Sequence, residues 1–145
     1  ANPNPRLIKG LLHLSDALPE LRIIVDHLPN ASVPAGEESA YHADLMRLAE
    51  RPNVFAKLAE IPQVGPGGLI LDPSFYNDRL AVLWEAFGND RCFFGSDWPN
   101  SDHLADFAAT LGLVKRCVAG KPEAVQAKFF LHNAVRIYTP NHGAP

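Results

Sequence analysis

Apolar residues fall into two patterns along the chain, and each pattern predicts one kind of element. Three short runs, at 22–27, 53–58 and 92–96, each contain three consecutive apolar residues. That continuity is typical of strands covered on both faces. Around these runs, apolar residues recur three and four positions apart, which predicts helices at 6–17, 38–50, 77–88, 102–119 and 122–138.

The alternation of strands and helices predicts the fold class. Neighbouring parallel strands need a long connection between them, usually a helix, and such crossovers are right-handed. A helix, then three strand–helix units and an extra helix, therefore predict an α/β fold with three parallel strands. The segment Ile61–Pro73 fits neither pattern and contains Gly65-Pro66-Gly67-Gly68. We expect it to be a flexible loop, of the kind that forms lids or binding sites.

Composition narrows the class of protein. The 145 residues are enough for a single domain, 1–145, with a core of its own. The net charge of −3 and the absence of a basic block argue against nucleic acid as a partner. No apolar run approaches the roughly 20 residues that span a bilayer, so we expect no membrane. Two cysteines, Cys92 and Cys117, suit a reducing compartment, and we expect a cytoplasmic protein.

Three polar side chains end the three apolar runs. His27 and Lys57 lie at or next to the ends of the first two, and Asp97 directly follows the third. Because the carboxyl ends of parallel strands meet at one edge of a sheet, we expect these side chains to converge. An imidazole, an amine and a carboxylate suit metal ligation or general acid–base chemistry.

Each of these residues also has a structural interpretation. His27 could be a hydrogen-bonded histidine that caps the following loop, and Lys57 could extend from an exposed strand end into solvent. Asp97 could hydrogen-bond its own turn, since Trp98-Pro99 follows it. The shared edge favours a site over three separate structural roles.

The chain resembles the carboxyl-terminal part of the amidohydrolase-2 family, whose members include sugar lactonases, dicarboxylate lactonases and related decarboxylases. The resemblance extends from about residue 20 to residue 138. It rests on Ile24-Val25-Asp26-His27-Leu28, Asn53-Val54-Phe55-Ala56-Lys57-Leu58, Phe87-Gly88 with Asp90-Arg91, Phe94-Gly95-Ser96-Asp97-Trp98-Pro99, and Asn133-Ala134 with Arg136-Ile137-Tyr138.

The resemblance implies a fold and a set of roles. The fold is a TIM (β/α)8 barrel, in which the runs ending at His27, Lys57 and Asp97 would be the sixth, seventh and eighth strands. Asp97 would be a metal ligand and the base that activates water, and His27 a ligand or the group that polarises the carbonyl. Lys57, Trp98 and His103 would contact a small-molecule substrate. The cofactor would be a divalent metal, with zinc favoured, although lactonase-like members can work without a tightly held metal.

The sequence departs from the family pattern in one large respect, because it contains no His-x-His. A complete barrel needs roughly 250 residues, and three strand–helix units are predicted here. We therefore interpret the chain as a carboxyl-terminal fragment that is inactive alone. We expect its apolar inner sheet face to be exposed, so that it self-associates or pairs with the missing amino-terminal part.

Two alternatives to a hydrolase remain open at this point. The first is a catalytically dead barrel remnant that acts as a binding or assembly module. The second is a small flavodoxin-like domain, ranked last because Leu28-Pro29-Asn30-Ala31-Ser32 after the first strand is not a glycine-rich phosphate loop.

Overall fold

A computed structural model describes residues 4–28 and 33–139 of the chain. Its strands are β1 (Ile23–Leu28), β2 (Val54–Leu58), β3 (Gln63–Gly65), β4 (Gly68–Ile70) and β5 (Cys92–Phe94). Strands β1, β2 and β5 form one parallel sheet in that order, which confirms the predicted pairing. The short strands β3 and β4 form an antiparallel hairpin inside the segment expected to be an irregular loop, so that prediction was wrong.

The helices are α1 (Pro5–Ala17), α2 (Glu38–Ala49), α3 (Asn77–Phe87), α4 (Phe107–Val118), α5 (Glu123–Ala127) and α6 (Asn133–Tyr138). A 3-10 turn, Pro73–Tyr76, leads directly into α3, so Asn77 is its first helical residue rather than its cap. A π-helical turn, Lys128–His132, separates α5 from α6, where one continuous helix was predicted. Within the described ranges, no helix is both long and apolar enough to cross a bilayer.

Helix α4 begins five residues later than the pattern predicted. The side chain of Asp106 accepts a hydrogen bond from the backbone N–H of Ala109, which is the usual way to start a helix. The residues before it form turns, in which Ser101 N–H donates to the carbonyl of Asp97. The chain after Asp97 is therefore a built loop rather than the first turns of a helix.

The main core lies on one face of the parallel sheet. Val25, Ala56 and Cys92 point to that face, and buried side chains from helices α1 to α4 cover them. Val25 is fully buried, as is Leu113 on α4. Cover on this face accounts for one of the two sets of alternate apolar residues in the predicted strands.

The opposite face carries a smaller core. Phe55 and Phe93 point to it and are only 4% and 1% exposed, because Ile137 of α6 packs against them. Tyr138 adds an edge-to-face ring contact to Phe93 at 5.7 Å between centroids. The expected exposure of this face was therefore wrong for its two aromatic residues, which the last helix covers.

Candidate active site

Three side chains meet at the carboxyl edge of the parallel sheet. His27 lies near the end of β1, while Glu60 and Asp97 follow β2 and β5 by a few residues. One ligand atom from each lies within 4.8 Å of those of the other two. His27 Nδ1 is 3.6 Å from Glu60 Oε2. The structure thus brings together His27 and Asp97, which the sequence singled out, and adds Glu60, which it did not.

The same three residues have an unusual backbone conformation. Their φ angles are +58° at His27, +56° at Glu60 and +58° at Asp97. In the described part of the chain they are the three residues other than glycine with positive φ. A side chain in this left-handed region costs roughly 1–2 kcal/mol, and such strain gathers at functional sites. Three separate strand ends therefore present one side chain each from the same strained backbone conformation.

A sequence signal for Glu60 was available. Each of the three residues stands two positions before a proline, in His27-Leu28-Pro29, Glu60-Ile61-Pro62 and Asp97-Trp98-Pro99. Proline marks a turn and restricts the residue before it, so the repeated pattern indicates three similar strand-end turns. The Ile61–Pro62 and Trp98–Pro99 peptide bonds are both cis. Reading the three tripeptides together would have placed Glu60 beside His27 and Asp97.

The donor set suits a divalent cation. The Nδ1 atom of His27 is shielded from solvent and has no hydrogen-bond partner, although Glu60 lies beside it. A buried polar atom without a partner is costly, and coordination of a cation would remove that cost. Imidazole nitrogen and carboxylate oxygen are both ligands that zinc accepts, and catalytic zinc sites usually have three protein ligands. His27, Glu60 and Asp97 therefore fit the metal that the family resemblance implies.

Two serines hold the turn that presents Asp97. Ser101 is 4% exposed; its Oγ donates to the Ser96 carbonyl at 3.1 Å, and its N–H donates to the Asp97 carbonyl at 3.1 Å. The N–H of Trp98 donates to Ser96 Oγ at 3.2 Å. The strained backbone at Asp97 is thus fixed by hydrogen bonds on both sides.

A cavity of about 360 Å³ opens beside Glu60 and Asp97, and His27 is not among the residues that line it. One wall is the start of the β3–β4 hairpin, and the other is the turn after Asp97. His103 lies in this second wall, where its Nδ1 is 2.9 Å from the Asn100 carbonyl. The lining residues are Glu60, Pro62, Gln63, Val64, Asp97, Asn100, Ser101, His103 and Leu104.

The remaining candidates lie elsewhere. Trp98 is 58% exposed and is not among the residues that line this cavity. Lys57 is also outside that lining, and its Nζ lies 2.8 Å from Asp26 Oδ1. The structure therefore brings His103 to the cavity with Asp97 and directs Lys57 toward the neighbouring strand.

The hairpin wall is fastened at its base by one buried tyrosine. Tyr76 is fully buried, and its hydroxyl accepts from Gln63 N–H at 3.0 Å and donates to the Ile70 carbonyl at 2.8 Å. Burial raises the pKa of Tyr76, partly offset by the hydrogen bond from Gln63, so the hydroxyl stays a donor at neutral pH. The cavity thus has a wall whose base is fixed to the body of the protein.

Comparison with known proteins decides the family. The sequence model of the Amidohydrolase family matches residues 3–139. The chain belongs to the amidohydrolase family. This confirms the resemblance seen in the sequence, and the match covers nearly the whole chain.

Individual amidohydrolases support the fold and show how much of it is present. The chain is 32% identical over 140 residues to an L-fucono-1,5-lactonase from Burkholderia ambifaria, a match that covers 92% of this chain and 47% of that protein. A zinc-bound amidohydrolase structure from Burkholderia multivorans superposes with a TM-score of 0.73 at 23% identity, over 92% of this chain and 49% of that one. An Amidohydrolase 2 structure from Bifidobacterium longum subsp. infantis superposes with a TM-score of 0.67 at 27% identity, and the match covers 93% of this chain and 46% of that one.

The chain spans about half the length of the relatives it matches. Its architecture is that of part of an amidohydrolase TIM barrel, which confirms the predicted fold class. The strand ends that carry His27, Glu60 and Asp97 lie at the barrel face where active sites of this fold are built.

Proposed function

We propose that the complete protein hydrolyses a lactone or a related carboxylic ester, with Asp97 as the base that activates water. The observation that carries this proposal is the convergence of His27, Glu60 and Asp97, each in a strained conformation, at the carboxyl edge of the sheet. The similarity to a lactonase supports the choice of substrate class. We propose the activity for a protein that also supplies the other barrel strands, and we expect the chain alone to be inactive.

The residues divide the reaction between them. The oxygen of water forms a bond to the carbonyl carbon while the Asp97 carboxylate accepts the proton that water loses. The bond between that carbon and the ester oxygen then breaks, and the departing oxygen takes up a proton, which gives a hydroxy acid. Asp97 lines the cavity and lies beside His27 and Glu60, so it can reach a water molecule held there.

We propose zinc as the cofactor, held by His27, Glu60 and Asp97. The zinc in the structure of a related amidohydrolase and the unpartnered, shielded Nδ1 of His27 support this assignment. When bound, a divalent cation lowers the pKa of water and polarises a carbonyl oxygen. In a metal-free reaction, His27 is the group that would donate a hydrogen bond to that oxygen.

The cavity favours an uncharged substrate that carries hydroxyl groups. Gln63, Asn100, Ser101 and His103 give its walls hydrogen-bonding groups, and none of its nine lining residues is a lysine or an arginine. An anionic substrate such as a dicarboxylate would meet Glu60 and Asp97 without a paired cation from these walls. A sugar lactone fits the lining better.

The test is lactone hydrolysis by the complete protein, measured as acid release at constant pH with a six-membered sugar lactone. Asp97→Asn should abolish turnover, because the amide cannot accept the proton. Asp102→Asn is the matched control, since Asp102 is an exposed residue of the same turn and does not line the cavity. Turnover retained in Asp97→Asn would reject the assigned role, and a chelator followed by added zinc would test the cofactor separately.

A further inference from the structure

Lys57 is poorly explained by contact with a substrate. Its Nζ lies 2.8 Å from Asp26 Oδ1, and the two side chains are 23% and 26% exposed. That carboxylate oxygen is shielded from solvent and has no hydrogen-bond partner with suitable geometry. Its contact with Lys57 is therefore an ion pair. A shielded carboxylate is stable only with such a partner, and here the partner comes from the neighbouring strand.

The ion pair spans an irregularity in the sheet. Val25 pairs with Ala56, and Leu28 pairs with Leu58, so β1 advances three residues while β2 advances two. Such a bulge turns one side chain out of the regular pleat, and here it occurs where His27 adopts a φ of +58°. Asp26 immediately precedes His27 in the chain and lies inside this bulge.

Lys57 also contacts the third strand end. A Cβ placed on Gly95 would lie 2.9 Å from Lys57 Cδ and 3.2 Å from its Cγ, so the lysine stem runs directly over this glycine. Gly95 N–H donates to the Leu58 carbonyl at 2.7 Å, which continues the β2–β5 pairing toward Asp97. One side chain therefore touches the strand before His27 and the strand before Asp97.

We propose that Lys57 and Asp26 are positioning residues that hold His27 and Asp97 at ligand distance. This inference rests on the metal centre proposed above. The ammonium anchors the bulge of β1 through Asp26, while its stem fixes the spacing to the segment after β5. Neither residue need touch the metal or the substrate.

The metal affinity of the 145-residue chain shows whether Lys57 acts by positioning the ligands or only through its charge. Loss of a nearby positive charge should strengthen binding of a cation, whereas loss of a positioning residue should weaken it. We expect Lys57→Met to bind Zn²⁺ and Co²⁺ roughly 10–100-fold more weakly, the usual effect of losing a partner that orients a ligand. The visible spectrum of bound Co²⁺ should change as well, because the ligand geometry changes.

The chain offers a matched control in the Lys128–Asp90 ion pair, which has an N–O distance of 2.6 Å and lies on the surface. Lys128→Met removes the same charge and should leave metal affinity within twofold. Asp26→Asn should weaken binding too, and the Lys57→Met, Asp26→Asn double variant should lose less than the product of the two single losses. Unchanged or tighter binding by Lys57→Met would overturn the proposal.

A measurement without metal separates this proposal from the metal assignment. If the unaltered chain binds neither ion, the cofactor assignment for this chain fails. Amide hydrogen exchange at Gly95 then tests the pair directly, because its N–H bonds to Leu58 beside Lys57. Faster exchange in Lys57→Met than in Lys128→Met is expected, and equal exchange would overturn the positioning role.

Discussion

The strained backbone at Glu60 should lower the free energy of unfolding, so glycine should be favoured over alanine at this position. Glu60 has a φ of +56°, and its side chain is half exposed. Replacing it with glycine removes the clash between Cβ and the backbone, whereas replacing it with alanine keeps that clash. Both variants lose the same side-chain contacts, so comparing the two isolates the backbone term.

The size of the effect follows from two opposing quantities. The left-handed conformation costs a residue with a Cβ roughly 1–2 kcal/mol. Glycine offsets roughly 0.5–1 kcal/mol of this gain, because an unfolded chain with glycine has more conformational entropy to lose on folding than one with alanine. We therefore expect Glu60→Gly to be about 1 kcal/mol more stable than Glu60→Ala, which is a difference of about 2–4 °C in Tm for a domain of this size.

The assay is urea unfolding followed by circular dichroism, with a chelator present so that bound metal cannot add stability. Glu85 provides the control, because it is exposed and lies within helix α3. In a helix the order reverses, and Glu85→Gly should be about 1 kcal/mol less stable than Glu85→Ala. If Glu60→Gly is no more stable than Glu60→Ala while the Glu85 pair behaves as expected, the strain argument is refuted.

Three further predictions concern the sheet. Asn133→Ala should lower the free energy of unfolding by about 2–4 kcal/mol in urea titrations, because the buried amide donates to the Asn89 and Cys92 carbonyls at 2.8 Å each. Burial raises the pKa of Cys92 from 9.0 to about 12, so its thiol stabilises the fold below pH 9 and this contribution is lost as the pH rises toward 12. Between pH 8 and pH 10.5, the fall in the free energy of unfolding should therefore be about 2 kcal/mol smaller for Cys92→Ala than for the unaltered chain, again measured by urea unfolding. Gly95→Ala should weaken zinc binding measured by calorimetry because its Cβ displaces Lys57, and unchanged affinity would contradict that contact.

The sequence predicted best the strands that are buried on both faces. Strands β1, β2 and β5 are recognisable because helices cover one face and α6 covers part of the other, so both sets of alternate residues are apolar. Parallel pairing then placed the strand ends bearing His27 and Asp97 at one edge. The amidohydrolase motifs added the barrel to which this sheet belongs.

The elements that were missed depend on individual side-chain hydrogen bonds, which the spacing of apolar residues does not reveal. The β3–β4 hairpin has three-residue strands, too short for a pattern, and is fixed by the hydroxyl of Tyr76. Helix α4 begins at Phe107 because Asp106 caps it, whereas the apolar spacing predicted a helix from residue 102. Glu60 was missed because its signal, a strand end two positions before a proline, is recognisable only when the three tripeptides are compared with one another.

Tyr76 has a consequence for how new specificities could arise in this protein. Because its hydroxyl closes the base of the hairpin at Gln63 and Ile70, the residues between those points can be exchanged without disturbing the parallel sheet. The tip, residues 65–68, makes no pairing beyond the hairpin itself in the described residues. Of the residues between those two points, Val64 lines the cavity. Natural drift or a designed library at Val64 and the adjoining tip can therefore change one wall of the cavity while His27, Glu60 and Asp97 stay in place.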